Sequence, residues 1–396
     1  MMASEITSRS DSPIVVIGGG IGGLATAIAL AGKGYDVRVL EQAPVFQEVG
    51  AGIQLGPNVF RRFAALGVTD DIAPLAVYPE SLMLRDSITG EEVTSIALGP
   101  RFEQRFQFPY AVIHRADLHE GLLRACRRCP RIALESSRKV IHVENRGERV
   151  HLTTESGTGY DGAAVVAADG LWSTVRAQFV NDGKPRVSGH IAYRAVLPVD
   201  EFPEHLRLPS MVIWAGEKTH FVHYPLRGGK LFNLVAVFHS SRYEEGWDSY
   251  GDPAELHERF SKTCSEVRTL LAKIESWRMW ILQDREPIRN WSFGRVTLLG
   301  DAAHPMLQYL AQGACMAIED AVCLADQVEA SRGDLAAAFQ AYEQARYLRT
   351  ARVQIYARLY GEVYHASGVA REVRNQLLSS QTTEQAYEGF SWLYGG

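Results

Sequence analysis

SPIVVIGGGIGGLATAIALAGKGYDVRVLE, residues 12–41, decides how the rest of the chain is read. Ile14 to Ile17 form an unbroken β-branched run, the pattern of a strand buried on both faces. Leu24 to Leu30 read as a helix of small residues able to pack close to a sheet. The glycines between them fit G-x-G-x-x-G. Gly18 permits the tight turn, Gly20 lets backbone amides come up to a pyrophosphate, and Gly23 lets helix and strand touch. The helix amides and the positive end of its dipole then favour phosphate. Asp36 to Leu40 read as a second strand, closed by Glu41, whose carboxylate can accept from both ribose hydroxyls of an adenosine. Strand, turn, helix, strand and acid in one unit predict a dinucleotide-binding fold. On its own, the unit leaves NAD and FAD equally open.

The 396 residues allow two domains or one large domain with an inserted layer, and 46% hydrophobic with 22% charged content is that of a globular protein. A net charge of -5 and the lack of any dense Lys/Arg cluster exclude a nucleic-acid footprint. Residues 1–11 are polar without an apolar leader core, and no apolar run is long enough to span a bilayer, so the reading is cytoplasmic. The five cysteines, at 126, 129, 264, 315 and 323, are odd in number and scattered, which predicts reduced thiols. Cys126 and Cys129 form a C-x-x-C, but no second pair supports a metal, and they read as helix-end thiols.

Outward from the first unit, Gly50 to Asn58 is a Gly-rich loop opening a helix through about Leu66; residue types alone allow a cofactor cover or a plain crossover. Ser81 to Ile96 reads as a hairpin beginning a second layer. Phe108 to Arg115 reads as a strand, followed by a helix from Ala116 to Cys126. Arg115 stands at that helix start against the dipole preference, as it would to meet an anion. Strands follow through 132–143 and 150–154. Ala163 to Ala168 is a buried strand ending in Asp169-Gly170, with Ser173 and Arg176 on the next helical turn. Period-two alternation from Gly189 to Phe238 predicts a sheet with one covered face. Within it, Thr219 to Pro225 puts His220, Val222 and Tyr224 on one side and Phe221 and His223 on the other. Residues 252–273 read as helical, Trp280 to Gln283 as strand, and Arg295 to Leu299 as a last apolar strand before Gly300-Asp301. Helices follow from about Ala314 to Val328 and on to about Tyr360, then a polar, partly helical tail.

The fold class is therefore α/β (α+β), with a Rossmann-like dinucleotide-binding domain in three parts, 12–80, 109–185 and 286–330. Residues 81–108 and 186–285 build an inserted mixed β-sheet substrate domain, and 331–396 a C-terminal helical region.

Gly18 to Glu41, then Asp169-Gly170 with Ser173 and Arg176, then Gly300-Asp301-Ala-Ala-His304-Pro305 together resemble the single-component FAD-dependent aromatic hydroxylases, the family of p-hydroxybenzoate and salicylate hydroxylases. Leu307 to Ala311, with His220-x-x-x-Tyr224, looks most like its gentisate-forming, 3-hydroxybenzoate-using members. The resemblance implies tightly bound FAD, a transient nicotinamide donor (NADH, with NADPH open) and O2. It puts Glu41 on the adenosine ribose, Arg115 near the phosphate and ribityl region, Asp301 on a ribityl hydroxyl, Pro305 beside the flavin ring, and the amides of Gly313, Ala314 and Cys315 against the flavin pyrimidine. Asp169 belongs to a motif shared between the two nucleotides; Ile21, Gly22, Gln42 and Gln54 complete the implied cofactor contacts. Where most members have a glycine-richer loop, this chain carries Leu307 to Gln312.

The implied reaction places oxygen on a ring carbon para to a phenol hydroxyl. A phenol has a pKa of about 10, so a base working near neutrality is needed. By resemblance this is His220, with Tyr224 on the same strand face and Gln308 aligning the hydroxyl. The implied partner is a small aromatic hydroxy acid, the implied assembly a homodimer. A salicylate- or hydroxynicotinate-type hydroxylase, a flavin dehydrogenase or reductase without oxygen insertion, and a non-enzymatic flavin module are the rival readings.

Overall fold

The computed structural model describes residues 12–48, 50–240 and 250–395; the polar stretch 1–11, read above as lacking a leader core, lies outside them. Ile14–Ile17 is the centre of a six-stranded sheet whose order is 292–293, 296–298, 164–167, 14–17, 37–40, 132–135. Its pairings are parallel except at the 292–293 edge. Every residue of Ile14–Ile17 and Ala164–Ala167 is buried, as two-sided cover by helices requires. Gly18 has φ +101°, and a Cβ on it would lie 2.3 Å from the Ala168 carbonyl oxygen. A Cβ on Gly23 would lie 1.9 Å from the Gly18 oxygen. The first and third glycines of the motif thus do what their spacing predicts.

A second sheet of seven strands runs 278–284, 186–198, 231–239, 219–226, 210–216, 81–86, 92–97. Only the 210–216 and 81–86 pair is parallel, so the early hairpin is stitched onto the edge of a sheet made 100 residues later in the chain. One face of this sheet packs on Phe202, Trp214, Phe232, Phe260 and Trp277; the other looks back at the first sheet. Gly52–Leu55, in the loop read as cofactor cover or crossover, pairs with Ala111–His114.

Three elements differ from expectation. The strand read over 132–143 is two strands in different sheets, Ile132–Glu135 at the edge of the first sheet and Val140–Asn145 in a separate three-stranded sheet with 150–154 and 159–162. The helix read over 252–273 is two, Pro253–Arg259 and Ser265–Leu271, because Ser261 and Thr263 hydroxyls donate to the Glu258 and Phe260 carbonyls and draw the backbone out of helical register. The tail is more regular than its polarity suggests, forming Gly368–Ser379 and Thr383–Tyr394, the latter started by a Thr382/Gln385 capping box. Cys126 is buried with its thiol pushed up to about 12 by burial, and all five cysteines are free thiols.

Candidate active site

The carboxyl ends of the first sheet and the inward face of the second enclose a cavity of about 920 Å³. At its first end lie Gly18, Gly20, Ile21 and Gly22. The helix Ile21–Gly32 starts at Gly20 with no side-chain cap, which leaves its first amides for a ligand. The Glu41 carboxylate accepts from Gly19 N (2.6 Å) and Ala43 N (2.7 Å), so its position is fixed by backbone beside Gln42 in the cavity wall. Arg115, read as awaiting an anion, faces one already within the chain: its Nε and Nη2 donate to Glu48 at 3.0 and 3.1 Å.

Midway, Asp169 Oδ2 accepts from Thr174 N at 2.9 Å, while Oδ1 is buried without a partner, and burial raises the carboxyl above its usual range. Arg176 does not reach the cavity. It donates to the Ala302 and Ala303 carbonyls (3.0 and 2.6 Å) and to Asp182, clamping the Asp169 turn to the Gly300 turn. Asp301 opens into the cavity, its carboxyl raised by burial and opposed by His304 and Arg115. Pro305 lies outside the lining, with its carbonyl accepting from Gln354 at 3.0 Å. Gly313 and Ala314 line the wall at the start of the helix Gly313–Ala330, which also has no side-chain cap; Cys315 turns its sulfur toward the Gln54 carbonyl (3.8 Å). The Leu307–Gln312 loop is a single 3₁₀ turn, Gln308–Leu310, ended by Ala311 at φ +53°, the left-handed conformation that glycine would otherwise supply.

At the far end His220, Val222 and Tyr224 face inward as alternation predicts; His223 is buried on the opposite face against Phe202, Phe221 and Trp214. Burial, reinforced by His190, pushes His220 down to about 3, so it is neutral near pH 7. Its Nδ1 is 2.7 Å from His365 Nε2. Burial raises the Tyr224 phenol. Tyr110 donates to Gln54 Oε1 in the same wall. Gln308 Oε1, expected to address the substrate hydroxyl, accepts from Arg194, whose guanidinium also lies 5.5 Å from the Trp280 ring centre. Arg194 has no carboxylate partner among the described residues, and its Nε is buried without one.

Two uncapped helix starts, a glycine turn that admits no Cβ and an orphaned Asp169 oxygen fit a dinucleotide whose far ring reaches Gly313. A family model described as an FAD binding domain matches residues 11–354. The chain is 46% identical over 98% of its length, and 96% of the relative's, to a 3-hydroxybenzoate 6-hydroxylase of Polaromonas naphthalenivorans. It is 44% identical to one of Klebsiella oxytoca, over 96% of both chains. The chain belongs to the FAD-dependent aromatic hydroxylases. Among solved structures, Klebsiella pneumoniae HpxO complexed with FAD and uric acid aligns with TM-score 0.86 at 26% identity, over 99% of both chains. A salicylate hydroxylase substrate complex gives 0.83 at 25%, over 98% of this chain and 96% of that one.

FAD is the cofactor of this hydroxylase, and a buried ion network holds the cavity wall that carries Gly300, Asp301 and Gly313. Arg346 bridges Glu319 and Asp320 at 2.6 Å each; Asp320 also takes His304 Nε2 (2.5 Å) and the Gly300 amide (3.1 Å), and Glu319 takes Arg349 and Asn58. Both carboxyls are held near 2, against the cost of burial, by these partners. The long helix Leu335–Tyr364 is thereby tied to the turn carrying Asp301. Sequence reading missed His190, His239 and His365, which lie behind His220. His365 is 145 residues away from it, and no local pattern marks it.

Proposed function

We propose that this hydroxylase converts 3-hydroxybenzoate to 2,5-dihydroxybenzoate with NADH and O2. The single observation carrying the substrate class is Arg194, a cation in the cavity wall met, among the described residues, only by a neutral amide and an indole face. A substrate carboxylate would complete it. The relatives named for this reaction support the ring and the position. When bound, FAD takes hydride from the nicotinamide and activates O2. The chain's part is to hold the acid by Arg194, set its phenol against His220 Nε2, and exclude water with Val222, Leu307 and Tyr309. Accepting the phenolic proton at His220 puts charge on the ring carbon para to it, where oxygen is added.

The test is NADH consumption by the purified holoenzyme with 3-hydroxybenzoate, salicylate and 6-hydroxynicotinate, with product identified and ¹⁸O followed from O2. Gentisate carrying one ¹⁸O is expected. Turnover without label would make the protein a dehydrogenase. Arg194→Met should raise KM for 3-hydroxybenzoate by about 10- to 100-fold, a charged hydrogen bond contributing about 1.5–3 kcal/mol; an unchanged KM would remove Arg194 from carboxylate binding.

The same reading places the enzyme in the cytoplasm, in keeping with free thiols and with no helix, among the described residues, long and apolar enough to cross a membrane. It also makes it a homodimer. Leu348, Ile355 and Leu359 on one helix and Val369, Val373 and Leu377 on the next are exposed apolar side chains at helical spacing, suited to a second copy. Sedimentation should give about twice 43.9 kDa, and Leu359→Glu with Leu377→Glu should give the monomer; a monomeric parent would end the dimer reading.

A further inference from the structure

His190 and His239 stand opposite each other in the pairing of strands 186–198 and 231–239, so both side chains leave the same face of the second sheet. His365, which ends the helix Leu335–Tyr364, comes down beside them. Backbone fixes the meeting: the Lys218 amide donates to the His365 carbonyl at 3.1 Å, and the Lys218 carbonyl accepts from the His239 amide at 3.2 Å. One nitrogen from each of the three rings lies within 4.8 Å of the other two, and His239 Nε2 stands 3.1 Å from His365 Nδ1. Two nitrogens on one tetrahedral ion, each at about 2.0–2.1 Å from it, are about 3.3 Å apart. That pair already has the spacing of ligands, and a small ring rotation brings in the third. We propose that His190, His239 and His365 form a three-imidazole site for a divalent cation of the zinc class, and that filling it inhibits hydroxylation through His220. The inhibition, unlike the site, rests on His220 being the base.

Two of the rings are supported from behind as metal-bound histidines are. His190 Nδ1 is bonded to the Tyr309 hydroxyl, and His365 Nε2 lies 2.7 Å from His220 Nδ1. Such partners orient a ring and take its one proton, leaving the lone pair on the other nitrogen. Burial holds His190 at about 4 and His365 well below its ordinary range, so both are neutral imidazoles near pH 7, the form that coordinates. A donor set of imidazoles without a carboxylate suits Zn2+, Co2+, Ni2+ or Cu2+, whereas Mg2+ and Ca2+ take oxygen ligands. His239 is the part-exposed member, which gives an ion its way in and a water its place as fourth ligand. Around that ring Glu362 favours a cation, and Lys218 and Arg259 oppose one. Filling the site fixes the tautomers next to it. With an ion on Nδ1, His365 keeps its proton on Nε2 and donates it to His220 Nδ1. A neutral His220 then carries its own proton on Nε2, the atom set against the phenol, and has no lone pair there for another.

The experiment titrates chelator-treated, FAD-loaded enzyme with Zn2+ alone and follows bound metal and gentisate formation. Co2+ in its place is read by absorption on the long-wavelength side of the flavin. One Zn2+ per chain is expected, with gentisate formation falling at least about tenfold as the site fills. A four-coordinate Co2+ band should appear, and Mg2+ should do neither. His239→Gln and His190→Gln should each weaken Zn2+ binding at least about tenfold with FAD content unchanged. His239→Gln, at the part-exposed position, keeps the test decisive if the buried variant does not fold. No stoichiometric uptake of Zn2+ would overturn the site, as would uptake equal to the parent's in the correctly folded variants, the result that binding to thiols would give. A filled site with turnover at the parental rate would overturn the inhibition. The base is judged separately: His220→Asn, measured without metal, should lose gentisate formation, and coupled turnover there would remove the inhibitory route while the count of bound Zn2+ still decides the site.

Discussion

His220→Asn should slow formation of hydroxylated product by about 10²–10⁴-fold at neutral pH, the range lost when a positioned general base is removed. The asparagine can still hydrogen-bond toward His365, so the wall is kept while the base is lost. With a pKa of about 10, only about one bound phenol in a thousand would then be ionised at pH 7. A neutral phenol lends little charge to its para carbon. Gly18, Glu41, Asp169 and Asp301, proposed to hold FAD, line the other end of the cavity, so FAD binding should be unaffected. NADH would still be consumed, with hydrogen peroxide accumulating in place of gentisate. Raising the pH toward 10 should return activity to the variant, since solvent would then do what the imidazole did. Coupled turnover at the parental rate would take His220 out of the chemistry.

The second large effect is acid lability. His220 and His223 are pushed down to about 3 and His190 to about 4, in each case first by burial. In the unfolded chain the same rings titrate near about 6.5. Below that pH the unfolded state binds protons that the folded state refuses, so stability is intact above about 6.5 and falls as pH drops toward 4. With all three unfolded-state rings charged, the slope approaches about 4 kcal/mol per pH unit, against a typical total of about 5–15 kcal/mol. Melting of the holoenzyme should therefore drop steeply between pH 6.5 and 4.5. His223 offers a control outside the site: it sits among aromatic rings with neither ring nitrogen bonded, and His223→Phe should flatten the slope by about a third. A Tm independent of pH over that interval would show that these rings do not stay neutral in the fold.

The nucleotide end was legible because its signals are local. Gly18 and Gly23 announce a close approach that the Ala168 and Gly18 oxygens enforce, and a run such as Ile14–Ile17 has few alternatives to a buried central strand. The face of the His220 strand was legible for the same reason, alternation being a property of neighbours. What was not legible is long-range. Glu48 as the partner of Arg115, Arg176 as a clamp, and Arg194 on Gln308 are pairings across 67, 126 and 114 residues, which no window of sequence contains. Splitting of the 252–273 helix was lost differently, because apolar spacing continues through Ser261 and Thr263 while their hydroxyls compete for the backbone.

The chamber wall includes Ala386, Gly389, Phe390, Leu393 and Tyr394, and His365 stands just ahead of these helices. The nucleotide end is drawn from segments between Ile17 and Ala317, whereas these wall residues belong to the helix Thr383–Tyr394. Removing this helix would open the reaction chamber while leaving the glycine turn, Asp169 and Asp301 in the chain.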